Sequence, residues 1–228
     1  MAAKTWVLTD VASGKYQADL SIKAKDVGGA ADGYSIVKKT LRGGLTDGVD
    51  AITVDNGEFS FVVLPTRGMS IWRAWLGKLE LGWQSPVRGP VHPKFVPVAE
   101  PSGLGWLDGF DELFVRCGLE SNGAPEFDEE SGRLKYPLHG RIGNIPAHKV
   151  EVAVDGESGE ITVTGVVEEA RFHFGKLRLT TTISTKVGEP GFRVQDVIEN
   201  FGATETGAQM PHPVSNRHQP IHTNSKFV

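Results

Sequence analysis

The chain has 228 residues, 24 basic and 28 acidic side chains, a formal net charge of -4 and 39% hydrophobic residues. That length and apolar content suffice for one domain with a sizeable core, and the lysines and arginines are scattered, leaving no basic stripe for nucleic acid or anionic membrane. The lone Cys117 cannot close an internal disulfide, and no run approaches the ~18 apolar residues of a membrane span. Residues 1–10 lack the basic start and apolar centre of a secretory signal, so a reducing cytoplasm is the expected compartment.

In chain order, the elements read as short strands. Asp55-Asn56-Gly57 is a hairpin turn signal, and the alternating run Glu58 to Leu64 follows it. From Leu81 to Gly109 glycines and prolines are too dense for regular elements, which predicts a long surface loop crossing the sheet. The loop holds Gly103-Leu104-Gly105-Trp106, but no apolar strand precedes it and no helix follows, so a dinucleotide site is not indicated. Val150 to Val154, the turn Asp155-Gly156 and Ile161 to Val166 predict a second strand pair. Leu177, Leu179, Thr181 and Ile183 alternate with Lys176, Arg178, Thr180 and Thr182, giving one buried and one wet face. Phe192, Val194, Asp196 and Ile198 mark a further strand, interrupted by the polar Asp196. Together these runs predict an all-β, predominantly antiparallel fold.

Two residues stand out chemically. Residues 137–146, Pro-Leu-His-Gly-Arg-Ile-Gly-Asn-Ile-Pro, place His139 at a turn expected to close a hairpin whose other arm begins at Arg116. An imidazole titrates near neutral pH and transfers protons readily, and a fixed guanidinium beside it holds oxygen-rich ligands. The pair suggests acid chemistry on a polyol. CxxC and HExxH are absent, so neither common zinc pattern applies.

Leu41-Arg42-Gly43-Gly44, Asp47-Gly48-Val49-Asp50, Leu64-Pro65-Thr66-Arg67-Gly68-Met69, Gly82-Trp83-Gln84-Ser85-Pro86, Val115-Arg116-Cys117-Gly118-Leu119 and Leu138-His139-Gly140-Arg141-Ile142 occur in this order. In these motifs, over residues 40–202, the chain resembles the DUF4432 branch of the aldose 1-epimerase, or galactose mutarotase-like, superfamily. The resemblance implies an antiparallel β-supersandwich, a small-molecule sugar bound in a concave face, and interconversion of sugar anomers without a cofactor. It further implies that Arg116 and His139 correspond to the arginine and histidine that contact the sugar in mutarotases. After Asn200-Phe201-Gly202 the family's second histidine and late glutamate base are not recognisable. The expectation is a domain over 1–202, incomplete at its C-terminal end, followed by a divergent, irregular tail over 203–228.

Each candidate has a bland alternative. His139 could simply cap a turn. Arg116 could contact sugar or form a buried pair with Asp111 or Glu112. Arg67, at a strand end, reads as a structural pair or a sugar contact. Trp83 and Trp106 either stack on a pyranose or pin their loop to the core, and Asn122 is a turn residue before Gly123 or a sugar ligand. His212, His218 and His222 match no compact metal site, and Glu199 at a strand end is a candidate substitute base. Three functions compete on these residues: a mutarotase-like isomerase, a non-catalytic carbohydrate-binding protein, and an inactive fragment.

Overall fold

The computed structural model describes residues 3–173, 175–203 and 205–210, together with the backbone of 224–227. Two sheets built from short alternating strands face each other. The larger carries β1 (Lys4–Asp10), β2 (Lys15–Tyr16), β11 (Lys149–Val154), β12 (Glu160–Ala170), β13 (Lys176–Lys186), β14 (Arg193–Asn200) and β15 (Asn224–Phe227). Their spatial order is β15-β14-β13-β12-β11-β1-β2; β15 runs parallel to β14, and the other pairs are antiparallel. The second sheet is a meander of β3 (Leu20–Lys23), β4 (Ser35–Thr40), β5 (Asp50–Asp55), β6 (Phe59–Leu64), β7 (Ser70–Leu76) and β8 (Leu79–Leu81), every pair antiparallel. A small ribbon of β9 (Glu126–Phe127) and β10 (Leu134–Tyr136) lies outside both. The expected all-β, antiparallel architecture is what the chain adopts.

The core lies between the sheets because each strand puts alternate residues inward. Ile36, Ile52, Val54 and Phe61 from the smaller sheet meet Val152, Val163, Leu179 and Ile183 from the larger, all essentially without solvent contact. The turn at Asn56 does more than reverse the chain. Its Oδ1 accepts from the amides of Glu58 and Phe59, while Nδ2 donates to Thr185 Oγ1 (2.7 Å) and to the carbonyls of Lys186 and Glu189. One side chain thereby closes the β5–β6 turn and ties it to the opposite sheet.

Residues 82–104 run largely without strands, as the glycine and proline density predicts, but the stretch is anchored rather than simply superficial. A 3-10 turn at Gly105–Gly109 brings Trp106 inside, where it packs with Val115 and Cys117. No helix of the described residues is long and apolar enough to cross a membrane.

The anticipated hairpin from Arg116 to His139 does not form. Gly118 and Gly140 make an isolated parallel bridge, and the chain between them is taken up by the β9–β10 ribbon. That ribbon's connection is fixed locally by Asp128, whose Oδ1 accepts from the Ser131 amide and hydroxyl, so the chain reverses there, and the turn at His139 does not close a hairpin onto Arg116.

Candidate functional site

Arg116 is positioned by the segment that pairs with β7. Ile71 and Phe114 pair as an antiparallel bridge with N···O distances of 2.9 and 3.0 Å, which puts Phe114 in the core and aims Arg116 at the larger sheet. There Nη1 donates to Asp196 Oδ2 at 2.7 Å and Nη2 to Thr181 Oγ1 at 3.2 Å. Thr181 and Asp196 are cross-strand partners of β13 and β14, and the threonine hydroxyl donates to Asp196 Oδ1 at 2.7 Å. The guanidinium has no solvent exposure and also lies over the Phe114 ring at 4.7 Å. Burial pulls its pKa down, and the Asp196 charge opposes that pull.

Asp111 and Glu112 are therefore not the partners of Arg116. Glu112 belongs to Arg67: Nε donates to Glu112 Oε1 at 2.8 Å, Nη1 to Asn144 Oδ1, and Nη2 to the Gly109 carbonyl at 3.0 Å. Asp111 accepts from Trp72 Nε1 at 2.8 Å. Arg67 is fully enclosed, and it clamps the end of the Gly105–Gly109 turn to the segment just past His139. The geometry places it as the structural pair.

His139 lies at the third position of a turn in which the Gly140 amide donates to the Pro137 carbonyl at 3.1 Å. Its φ of 55° is in the left-handed region, sparsely used by residues other than glycine, asparagine and aspartate though accessible to histidine. Neighbouring backbone holds it there. The His139 amide donates to the Gly123 carbonyl and its carbonyl accepts from the Gly118 amide, both at 2.9 Å. Gly140, at φ 74°, cannot be replaced without a Cβ striking the carbonyls of Gly118 and Ser121.

The imidazole packs edge-on against Trp106 with ring centres 4.8 Å apart, Trp106 stacks on Phe110 at 4.8 Å, and Phe110 on Trp83 at 4.8 Å. Trp83 also donates to the Glu112 carbonyl at 3.3 Å, so it stands two rings away from His139 as an anchor of the loop. Among the described residues, the buried atoms His139 Nδ1, Trp106 Nε1 and Asn122 Oδ1 have no hydrogen-bond partner. Asn122 immediately precedes Gly123, which holds the His139 amide. Burial also lowers the His139 pKa, favouring the neutral ring.

Two further carboxylates bear on the site. Glu199 sits at odd spacing from Asp196 on β14, so it faces the outer side of the sheet, with its carboxylate 3.6 Å from Arg178. A role as base beside Arg116 and His139 does not fit that placement. Glu169, on the inward face of β12, is almost entirely buried and accepts the Leu119 and Glu120 amides at 2.7 and 3.2 Å. Segment 205–210 crosses over this loop, its Gln209 amide donating to the Leu119 carbonyl at 2.8 Å. The histidines at 212, 218 and 222 lie outside the described residues.

The fold and this turn-rich site define an aldose epimerase-like β-sandwich. The chain belongs to the DUF4432 family, described as a domain of unknown function, whose model matches residues 46–221 and so extends past residue 202. It is also similar to a crystal structure of a "putative aldose 1-epimerase" from Klebsiella pneumoniae subsp. pneumoniae MGH 78578, with 35% sequence identity and a TM-score of 0.83. The similarity covers 92% of this chain and 54% of that one, so the chain spans about half the length of that protein. No curated protein matches the sequence.

Proposed function

We propose that the chain binds a small sugar at the Trp106, Asn122 and His139 cluster and that this site is of the mutarotase type, acting in a reducing cytoplasm. The observation that carries the reading is that three buried polar atoms around the His139 turn have no partner among the described residues. Each such atom costs about 1–3 kcal/mol, and a folded chain tolerates the cost where a ligand supplies the missing bonds. An indole N–H only donates, an amide oxygen only accepts, and a neutral imidazole can do either. Adjacent sugar hydroxyls, which donate and accept, satisfy all three.

Anomer exchange needs a base to take the proton from the anomeric hydroxyl and an acid to protonate the ring oxygen as the C1–O5 bond breaks. Rotation about C1–C2 and reclosure with the proton transfers reversed complete it. His139, held neutral by burial, serves at the ring oxygen or in proton transfer. Arg116 acts from behind: its ion pair with Asp196 fixes the floor across β13 and β14.

A second reading, a carbohydrate-binding protein without turnover, is favoured by one observation. Among the described residues, Glu112 and Asp196 are committed to arginines and Glu199 faces the other side of the sheet. NMR on a panel of aldoses separates the two readings, using saturation transfer for binding and exchange spectroscopy for anomer interconversion. Binding weakened about tenfold or more by Trp106→Ala and His139→Ala is expected. Exchange that falls about 10²-fold or more in His139→Ala supports the isomerase; binding without exchange supports the second reading. Binding indifferent to both substitutions refutes the site.

A further inference from the structure

Glu169 differs from the other enclosed carboxylates, Asp111 apart, which accepts from the Trp72 indole. Asp50, Glu112 and Asp196 each face a cationic side chain within 3 Å, whereas Glu169 has no ion pair among the described residues and accepts only backbone amides. An apolar residue at this inward position of β12 would continue the run of Ile161, Val163 and Val167. A buried carboxylate without a counter-charge is costly, so its presence calls for a task that Leu or Val cannot perform.

The task is visible in what the two amides belong to. Leu119 and Glu120 lie in the loop that shapes the His139 turn: the Gly118 amide holds the His139 carbonyl, the Gly118 carbonyl accepts from Arg141 and Ile142 at 2.9 and 3.0 Å, and the Gly118 and Ser121 carbonyls crowd Gly140. Among the described residues, the same loop also receives the Gln209 amide at the Leu119 carbonyl. The larger sheet reaches the loop through one side chain acting on two consecutive N–H groups, a geometry suited to a carboxylate oxygen.

We propose that Glu169 is a positioning residue: its buried carboxylate pins residues 118–121 to β12 and thereby fixes the left-handed turn that presents His139. The proposal rests on the reading of His139 as the site's central group. It predicts that an acceptor at position 169 matters more than a charge, because a glutamine oxygen can take both amides while leucine can take neither.

The test uses the full chain with Glu169→Leu and Glu169→Gln. Amide exchange at Leu119 and Glu120, the imidazole Cε1–Hε1 signal of His139, and glucose or galactose binding by saturation transfer are read in each. Glu169→Leu should speed amide exchange about tenfold or more, move the His139 signal and weaken sugar binding about tenfold. Glu169→Gln should keep the His139 signal in place and stay within about threefold of the unaltered chain in the other two. An unmoved His139 signal in Glu169→Leu, or a glutamine variant as defective as the leucine one, overturns the proposal. Should Glu169→Leu not fold, the glutamine variant decides alone: a moved His139 signal overturns it and an unmoved one with protected amides supports it. If the unaltered chain binds neither sugar, the sugar-site reading fails for those sugars, yet the amide and imidazole readouts still judge Glu169.

Discussion

His139 combines a left-handed backbone with a partly buried ring, and both carry consequences that can be measured. Its folded pKa lies below the ordinary histidine value because burial disfavours the imidazolium. Between that folded value and about 6.5, the unfolded chain binds more protons at this residue than the folded chain does. Stability from this group is therefore complete above about pH 6.5, falls as pH drops through that value, and levels off below the folded pKa. Glu169, whose pKa burial raises, has the opposite slope, but it is common to parent and variant. Thermal midpoints measured from about pH 7.5 to about pH 5 should decline less in His139→Gln than in the parent; parallel declines would contradict the burial assignment. Gly140 is the companion case. An alanine there meets a positive φ and two carbonyl oxygens, so Gly140→Ala should cost roughly 1–3 kcal/mol in urea denaturation.

At the scale of elements, Arg116 joins the smaller sheet's β7 neighbourhood to β13 and β14 through one enclosed ion pair. Breaking such a pair leaves an uncompensated buried charge, which costs about 3–5 kcal/mol, whereas replacing both partners with apolar residues removes that penalty. Asp196→Leu should therefore destabilise the chain by about that amount and Arg116→Met with Asp196→Leu by clearly less; urea midpoints and slopes check both. How far this was legible in the sequence follows from range. The hairpin signal at Asn56-Gly57, the β13 alternation and the candidate pair Arg116 and His139 are local patterns, and the first two appear in the structure as written. The partner of Arg116 lies 80 residues downstream, and no local rule selects it over Asp111 or Glu112. Strand parity did hold a clue: Asp196 shares the inward phase of Val194 and Ile198 while Glu199 does not. The same parity applied to Ile161, Val163 and Val167 puts Glu169 inside. Trp106 is ambiguous because a glycine-rich loop carries no period, and its burial depends on Val115, Cys117 and His139 arriving from elsewhere. β1 is short and its partner, β11, begins at Lys149, so its Trp6-Val7-Leu8 run says little until that pairing is known.

For the molecule as a whole, the separation of the two sheets is set where the β6–β7 connection meets the middle of β12. Met69 has no solvent exposure and a positive φ of 65°, and its thioether fills the space above Gly165, where any Cβ would overlap the sulfur and its neighbouring carbons. Glycine in a strand interior is unfavourable in itself, so its use at 165 reflects the need for close approach between the layers. The pairing makes a prediction with a built-in control. Gly165→Ala forces an extra carbon into a filled core and should cost about 1–3 kcal/mol, despite alanine's better fit to a strand. Met69→Ala opens a cavity and should cost about 2–5 kcal/mol. In the double variant the new methyl enters the space that the methionine vacates, so the combined loss should fall short of the sum by about 0.5–3 kcal/mol. Urea denaturation of the four proteins measures that coupling. Simple additivity would mean that the sheets are spaced by their strand turns and not by this contact.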